Sequence, residues 1–241
     1  MRTRSLPEPL PPGERTVGQL VAETIRAYGE HFWRVLPLGL ALAAVDQLSV
    51  HRGAGAQLLF YWAATPLIVG AYLLACWIVL GQRPTRVAAG VAVLIYLPFP
   101  ALRTGLILPG VAWFAFIGLA VPAAMVEKLP FRAALIRGRQ LGVADYVHSL
   151  GSLAALVIVV GIGAETLTAL LHTQSDNTQR VALFLSELVL TPLLYVGGAL
   201  LYLDQAARVG SRPPKRRSRD ADLHPSDDAH AAGRPDPQVE P

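Results

Sequence analysis

Six long apolar runs dominate the sequence, near residues 32–48, 55–80, 87–102, 105–126, 149–171 and 181–203. A helix needs about 17 to 25 such residues to cross the hydrocarbon core of a bilayer, and only helices and closed barrels satisfy their backbone there. Runs of this length predict an all-α fold, a polytopic transmembrane helical bundle of about six spans. Composition agrees: of 241 residues 53% are hydrophobic and only 16% charged, against about a quarter charged in soluble domains.

The third and fourth runs are the least sharply divided, because Arg103-Thr104-Gly105 is the only polar break between Val87 and Val126. About 40 residues of helix rise roughly 60 Å, enough for two crossings. Pro98, Pro100 and Pro109 equally admit one span plus a re-entrant segment.

The charges test the topology independently. With both tails and the loops at 81–86 and 127–148 on one side, that side carries all 21 Lys+Arg except Arg52, Arg103 and Arg180. Cytoplasmic loops collect such an excess, so a multi-pass protein of the bacterial inner membrane with both termini in the cytoplasm is expected. The net charge of +4 therefore concerns orientation, and no nucleic-acid partner is expected. Glu8, Glu14, Glu23 and Glu30, with several prolines and no early apolar stretch, argue against a cleavable signal at the N-terminus.

Residues 1–15 read as a proline-rich disordered tail, 16–204 as the membrane domain, and 205–241 as a basic, then Pro/Asp-rich, disordered cytoplasmic tail. Within the membrane domain, Thr16 and Gln19 have the spacing of a capping box. Val17, Leu20, Val21, Thr24, Ile25 and Tyr28 follow at helical spacing, so an amphipathic helix is expected over 16–31. A second is expected over 130–147, with Phe131, Leu135, Leu141 and Tyr146 among Lys128, Arg132, Arg137 and Arg139. Both patterns suit helices lying on the membrane surface, and His31-Phe32-Trp33-Arg34 has the make-up of an interfacial belt. The basic residues from Arg208 to Arg219 suit either contact with anionic lipid or an orientation signal.

Ionisable side chains inside spans are expensive to insert, so they raise a functional question. Asp46, Glu165 and Glu187 lie within the runs, and Arg103 lies at a run end. Glu165 and Glu187 each sit about 9 Å below the outer ends of the last two spans. With Asp46, Gln57 and Arg103, also in the outer third, they outline a candidate outward-facing polar pocket. Glu187 leads, because Pro192 beyond it would free backbone carbonyls toward a cavity. The same groups would equally pair with one another and stabilise the bundle without handling any substrate.

Catalytic signatures are missing. His51-Arg52-Gly53 matches the opening of the catalytic motif of glycerophosphodiester phosphodiesterases, but no Pro-Glu-Asn-Thr follows, and a turn between spans is expected there instead. The sequence holds no phosphate loop, no His-Glu-x-x-His and no Gly-x-Ser-x-Gly. The single cysteine, Cys76, excludes an internal disulfide and reads as a small core hydrophobe. No enzymatic activity, cofactor or metal is expected.

Several segments together resemble one family. They are Thr16-Val17-Gly18-Gln19-Leu20 running into Tyr28 and His31-Phe32-Trp33-Arg34, Val121-Pro122 to Glu127, Ala133-Ala134-Leu135-Ile136-Arg137, and Leu200-Leu201-Tyr202-Leu203-Asp204 with Arg208. Over roughly residues 16–210 they resemble the membrane domain associated with glycerophosphoryl diester phosphodiesterases, whose stand-alone bacterial relatives are mostly uncharacterised. Where that family usually has Ser-Trp and then Gly-Arg-Phe-Trp, this chain has Gly138-Arg139 and Ala144-Asp145-Tyr146-Val147. The resemblance implies a polytopic bundle with amphipathic helices on the cytoplasmic surface. It does not imply phosphodiesterase activity, since the catalytic domain is absent. The expected function is that of a non-enzymatic membrane scaffold or accessory subunit, with the lipid bilayer and a membrane-protein partner as its contacts; the alternative is a small transporter or lipid-handling protein.

Overall fold

Thr16 starts the first helix as its spacing predicts. In the computed structural model, which describes residues 11–50, 52–171 and 173–211, helix α1 (Val17–Glu30) opens on a capping box, the Gln19 side chain accepting from the Thr16 amide at 2.8 Å and Thr16 accepting from the Gln19 amide at 3.4 Å. Every regular element among the described residues is helical. Of the tails expected at 1–15 and 205–241, residues 1–10 and 212–241 lie outside those residues, as does His51; residues 11–15 are not a free tail, since Gly13 bonds to Asp204 and Arg15 to Arg208.

Helix α1 does not turn its apolar face to lipid as expected. Leu20 and Thr24, one turn apart, are fully buried, and the neighbours are protein. Thr24 packs at Gly197 and Val17 at Gly151, while the Tyr28 hydroxyl donates to the Val189 carbonyl at 2.8 Å. Helix α1 therefore runs antiparallel to the last helix, meeting the later residues of that helix first.

The first apolar run is not a single helix. It divides into α2 (Phe32–Val35), a 3₁₀ turn (Leu36–Gly39) carrying Pro37, and α3 (Leu40–Ser49), because proline at a turn start fixes φ and removes a donor. The second run is one helix, α4 (Ala54–Leu80), passing through Pro66 and closed by Gly81 in the left-handed conformation. The third divides at Leu97-Pro98 into α5 (Arg86–Tyr96) and α6 (Phe99–Gly105). The fourth is α7 (Ile107–Ile117) and α8 (Ala120–Val126), divided at Gly118-Leu119.

Residues 86–126 fold back on themselves at Leu106. The Trp113 indole donates to the Ile95 carbonyl at 3.0 Å, and Leu102 sits against Gly110, so α5–α6 pairs antiparallel with α7–α8. Helix α9 (Phe131–Ala144) then turns back along α8 and α7 through a stripe of Ala134, Gly138, Leu141 and Gly142. A Cβ on Gly138 would overlap Ala120, and one on Gly142 would overlap the Phe116 carbonyl, the close backbone approach that small residues permit. The second amphipathic helix thus also buries its inner face against protein.

Helices α10 (Tyr146–Leu170) and α11 (Asp176–Ser211) complete the bundle. They are antiparallel, with Leu156 against Gly197 and Leu190 against Gly163. Helix α11 runs on to Ser211 rather than ending near 204, and Gln205 is fully buried, so the tail expected from 205 is helical over its first residues. One compact unit extends through Val209. Its core includes the mutually tilted rings of Tyr72, Tyr96 and Tyr195 from α4, α5 and α11. Four helical stretches are long and apolar enough to cross a membrane: Ala54–Leu80, Ile107–Val126, Tyr146–Leu167 and Asp176–Ser211. The chain is a membrane-associated all-α bundle.

Candidate functional site

Arg103 occupies the last turn of α6, and it links side chains of two other helices. One of its terminal nitrogens lies 3.3 Å from an Asp46 oxygen on α3 and 3.4 Å from a Glu187 oxygen on α11. Each carboxylate uses its other oxygen as well. Tyr61 on α4 donates its hydroxyl to Asp46, and Thr191, one turn beyond Glu187, donates to Glu187 at 2.7 Å. The carboxylates are 12% exposed and Arg103 36%. Two acids share one guanidinium, and with both ionised the group carries one net negative charge. Such an arrangement ties four helices and holds fixed charge.

Pro192 shapes this region through its neighbour. Having no N–H, it leaves the Leu188 carbonyl without the usual donor four residues on. Gly39 packs its backbone directly on that oxygen, where a Cβ would overlap it. The freed carbonyl is covered by the 3₁₀ turn instead of facing a cavity.

Two other expected site residues stand apart. The Gln57 amide reaches the Ser49 carbonyl at 3.5 Å and spans the α3–α4 turn. Glu165 lies at the level of Glu187, since Gly163 meets Leu190 in the antiparallel pair, but it faces outward and is exposed. Depth along a helix is readable from residue counting; the direction a side chain takes around the axis depends on which face its neighbours cover.

A second ionic cluster, not foreseen as a site, sits at the far end of α11. Asp204 is fully buried. It accepts from Arg208 at 2.8 Å, from the Gly13 amide at 2.9 Å, and faces the His148 ring nitrogen at 3.0 Å. Arg208 also pairs with Asp145 at 3.0 Å and donates to the Arg15 carbonyl. Gly13 holds φ +97° against Ala207, a conformation that glycine adopts at least cost. Nearby, Glu127 accepts from Arg137 at 3.0 Å and from Tyr202 at 3.1 Å. The sequence signal was the spacing of Asp204 and Arg208, one helical turn apart where the apolar run meets the basic segment. The helix rises about 25 Å from Glu187 to Asp204, close to the roughly 30 Å hydrocarbon thickness. The two clusters therefore bracket the apolar interior.

Among the described residues no group of three or more His, Cys, Asp or Glu is placed to hold a metal ion. Cys76 is free and fully buried. No family model, curated protein or solved structure matches this chain.

Proposed function

We propose that this chain is a non-enzymatic multi-pass membrane scaffold or accessory subunit that receives a partner helix on α10. The observation that carries the reading is the contrast between two glutamates at one depth. Glu187 is satisfied within the bundle. Glu165 is exposed on α10, much the least buried of the four span-length stretches, and a carboxylate left facing lipid is costly enough to call for a polar partner. The arginine-bridged acids at the other positions fit a structural role, since they join helices.

The proposed topology has six traverses: α1–α3, α4, α5–α6, α7–α8, α10 and α11, the first running from Gly13 at Asp204 to Gln47 at Arg180. The Arg15 carbonyl touches Arg208, so the chain enters and leaves the bundle at one end, which supports an even number of crossings. The basic residues gathered at that end favour a cytoplasmic placement of both termini, in the bacterial inner membrane. Kinship with the membrane domain of glycerophosphoryl diester phosphodiesterases remains part of this proposal, resting on the sequence motifs alone.

A photo-crosslinking residue in place of Ile162, which is 62% exposed on the Glu165 face, tests the reading in membranes of the native host. A discrete protein adduct that weakens on Glu165→Gln is expected; adducts to lipid alone would refute it. A second reading, a small transporter or lipid-handling protein, is favoured by one observation: Arg103 stays partly exposed while bridging two acids. That reading requires Glu187→Gln to abolish transport while the Ile162 face forms no protein adduct.

A further inference from the structure

At the end of the bundle where α5 and α9 begin, basic side chains outnumber their partners. Arg83, Arg86, Lys128 and Arg132 are exposed, as is Arg139 two turns along α9. Glu127, beside them in sequence, is engaged by Arg137 and Tyr202. Among the described residues no acidic side chain pairs with any of the five, and Arg139 lies over the Phe116 ring instead.

Packing brings the set together. Phe131 sits on Gly90, one turn from Arg86 on the same face of α5, so the first turn of α9 lies beside the first turn of α5. Arg83 precedes α5 closely, and Lys128 precedes α9 closely. The outward face of α9 then runs Arg132, Ile136 and Arg139 at helical spacing, and Ile136 is 57% exposed. Its inward face is the small-residue stripe already buried on α8 and α7.

We propose that this face, Arg132, Ile136 and Arg139 with Arg83, Arg86 and Lys128 beside it, binds the phosphate headgroups of anionic phospholipids. Three features select that occupant. The cations have no internal counter-ion, so an anionic surface is complementary to them. Exposed apolar side chains alternate with the cations on the same face, as in helices that seat at the headgroup–acyl boundary. Short connections join α9 to α8 and α10, whose stretches are span-length, so the headgroup layer is within reach without any further molecule. This site is distinct from the basic run beginning at Arg208, because Arg208 is held by Asp204 and Asp145.

The test uses the full chain in nanodiscs of mixed phosphatidylcholine and phosphatidylglycerol, with retained lipids read by native mass spectrometry. Wild type should retain phosphatidylglycerol preferentially and melt higher in its presence than in phosphatidylcholine alone. The variant Arg86→Gln/Lys128→Gln/Arg132→Gln should melt normally in phosphatidylcholine and lose the preference, by about fivefold per charge removed. Ile136→Ser should retain fewer lipids while its charges stay in place. Equal retention of the two lipids by wild type overturns the proposal, as does an unchanged preference in the triple variant. Stabilisation by inorganic phosphate to the same extent, or an acidic protein that co-purifies only with the wild-type cations while no lipid preference is seen, overturns it in favour of that other anion.

Discussion

Replacing Arg103 with Gln removes the one cation between Asp46 and Glu187. Both acids approach the same nitrogen, so their oxygens lie within about 7 Å of each other, and at an effective dielectric near 20 the uncovered repulsion is about 2 kcal/mol. Removing one partner from a buried ion pair costs about 3–5 kcal/mol. Arg103 is 36% exposed, so water recovers part of that loss, and about 2–3 kcal/mol of destabilisation is expected. For a bundle of this size that corresponds to a melting point lower by about 5–10 °C, readable by tryptophan fluorescence of the detergent-purified protein. The triple variant Asp46→Asn/Arg103→Gln/Glu187→Gln should recover most of the loss, because amide oxygens still accept from Tyr61 and Thr191 while the repulsion is gone. An Arg103→Gln variant that melts within about 1 °C of wild type, or a triple variant no better than the single one, refutes a stabilising role for the bridge.

Gly39→Ala places a methyl group against the Leu188 carbonyl, and a loss of about 1–3 kcal/mol is expected in denaturant titration. Gly138→Ala pushes α9 off Ala120, which limited proteolysis within 127–145 should detect as faster cleavage than in wild type. Ser152 buries a hydroxyl that has no hydrogen-bond partner among the described residues, so Ser152→Ala should leave stability unchanged or raise it by up to about 1 kcal/mol. Among the surface-helix positions, charging Leu20 should prevent folding because it is fully buried, whereas charging Ile25, which is 50% exposed, should leave the melting point in place; circular dichroism with heating separates the two.

Much of the candidate site was legible before its geometry. Asp46, Arg103 and Glu187 stood out because charge is costly within apolar runs, and the structure brings them together. Tyr61 and Thr191 were not singled out, since a hydroxyl in an apolar run carries no comparable signal and becomes informative only when an acceptor faces it. Asp204 drew notice as part of a motif, yet its partners Gly13 and His148, and the Arg15 and Asp145 that meet Arg208, come from sequence positions too distant for any spacing rule.

Helical class, the capping box at Thr16 and the level of each charge along its helix all follow from residue order. They are properties of one segment in its solvent, set by backbone hydrogen bonding, chain rise and apolar length. The faces are another matter. Glu165 and Glu187 share a level, yet one is exposed and the other bonded; the inner faces of α1 and α9 meet protein. Both outcomes depend on glycines such as Gly138, Gly151 and Gly197 admitting a neighbouring helix, and close packing between segments far apart in the chain is settled only when all of them are assembled.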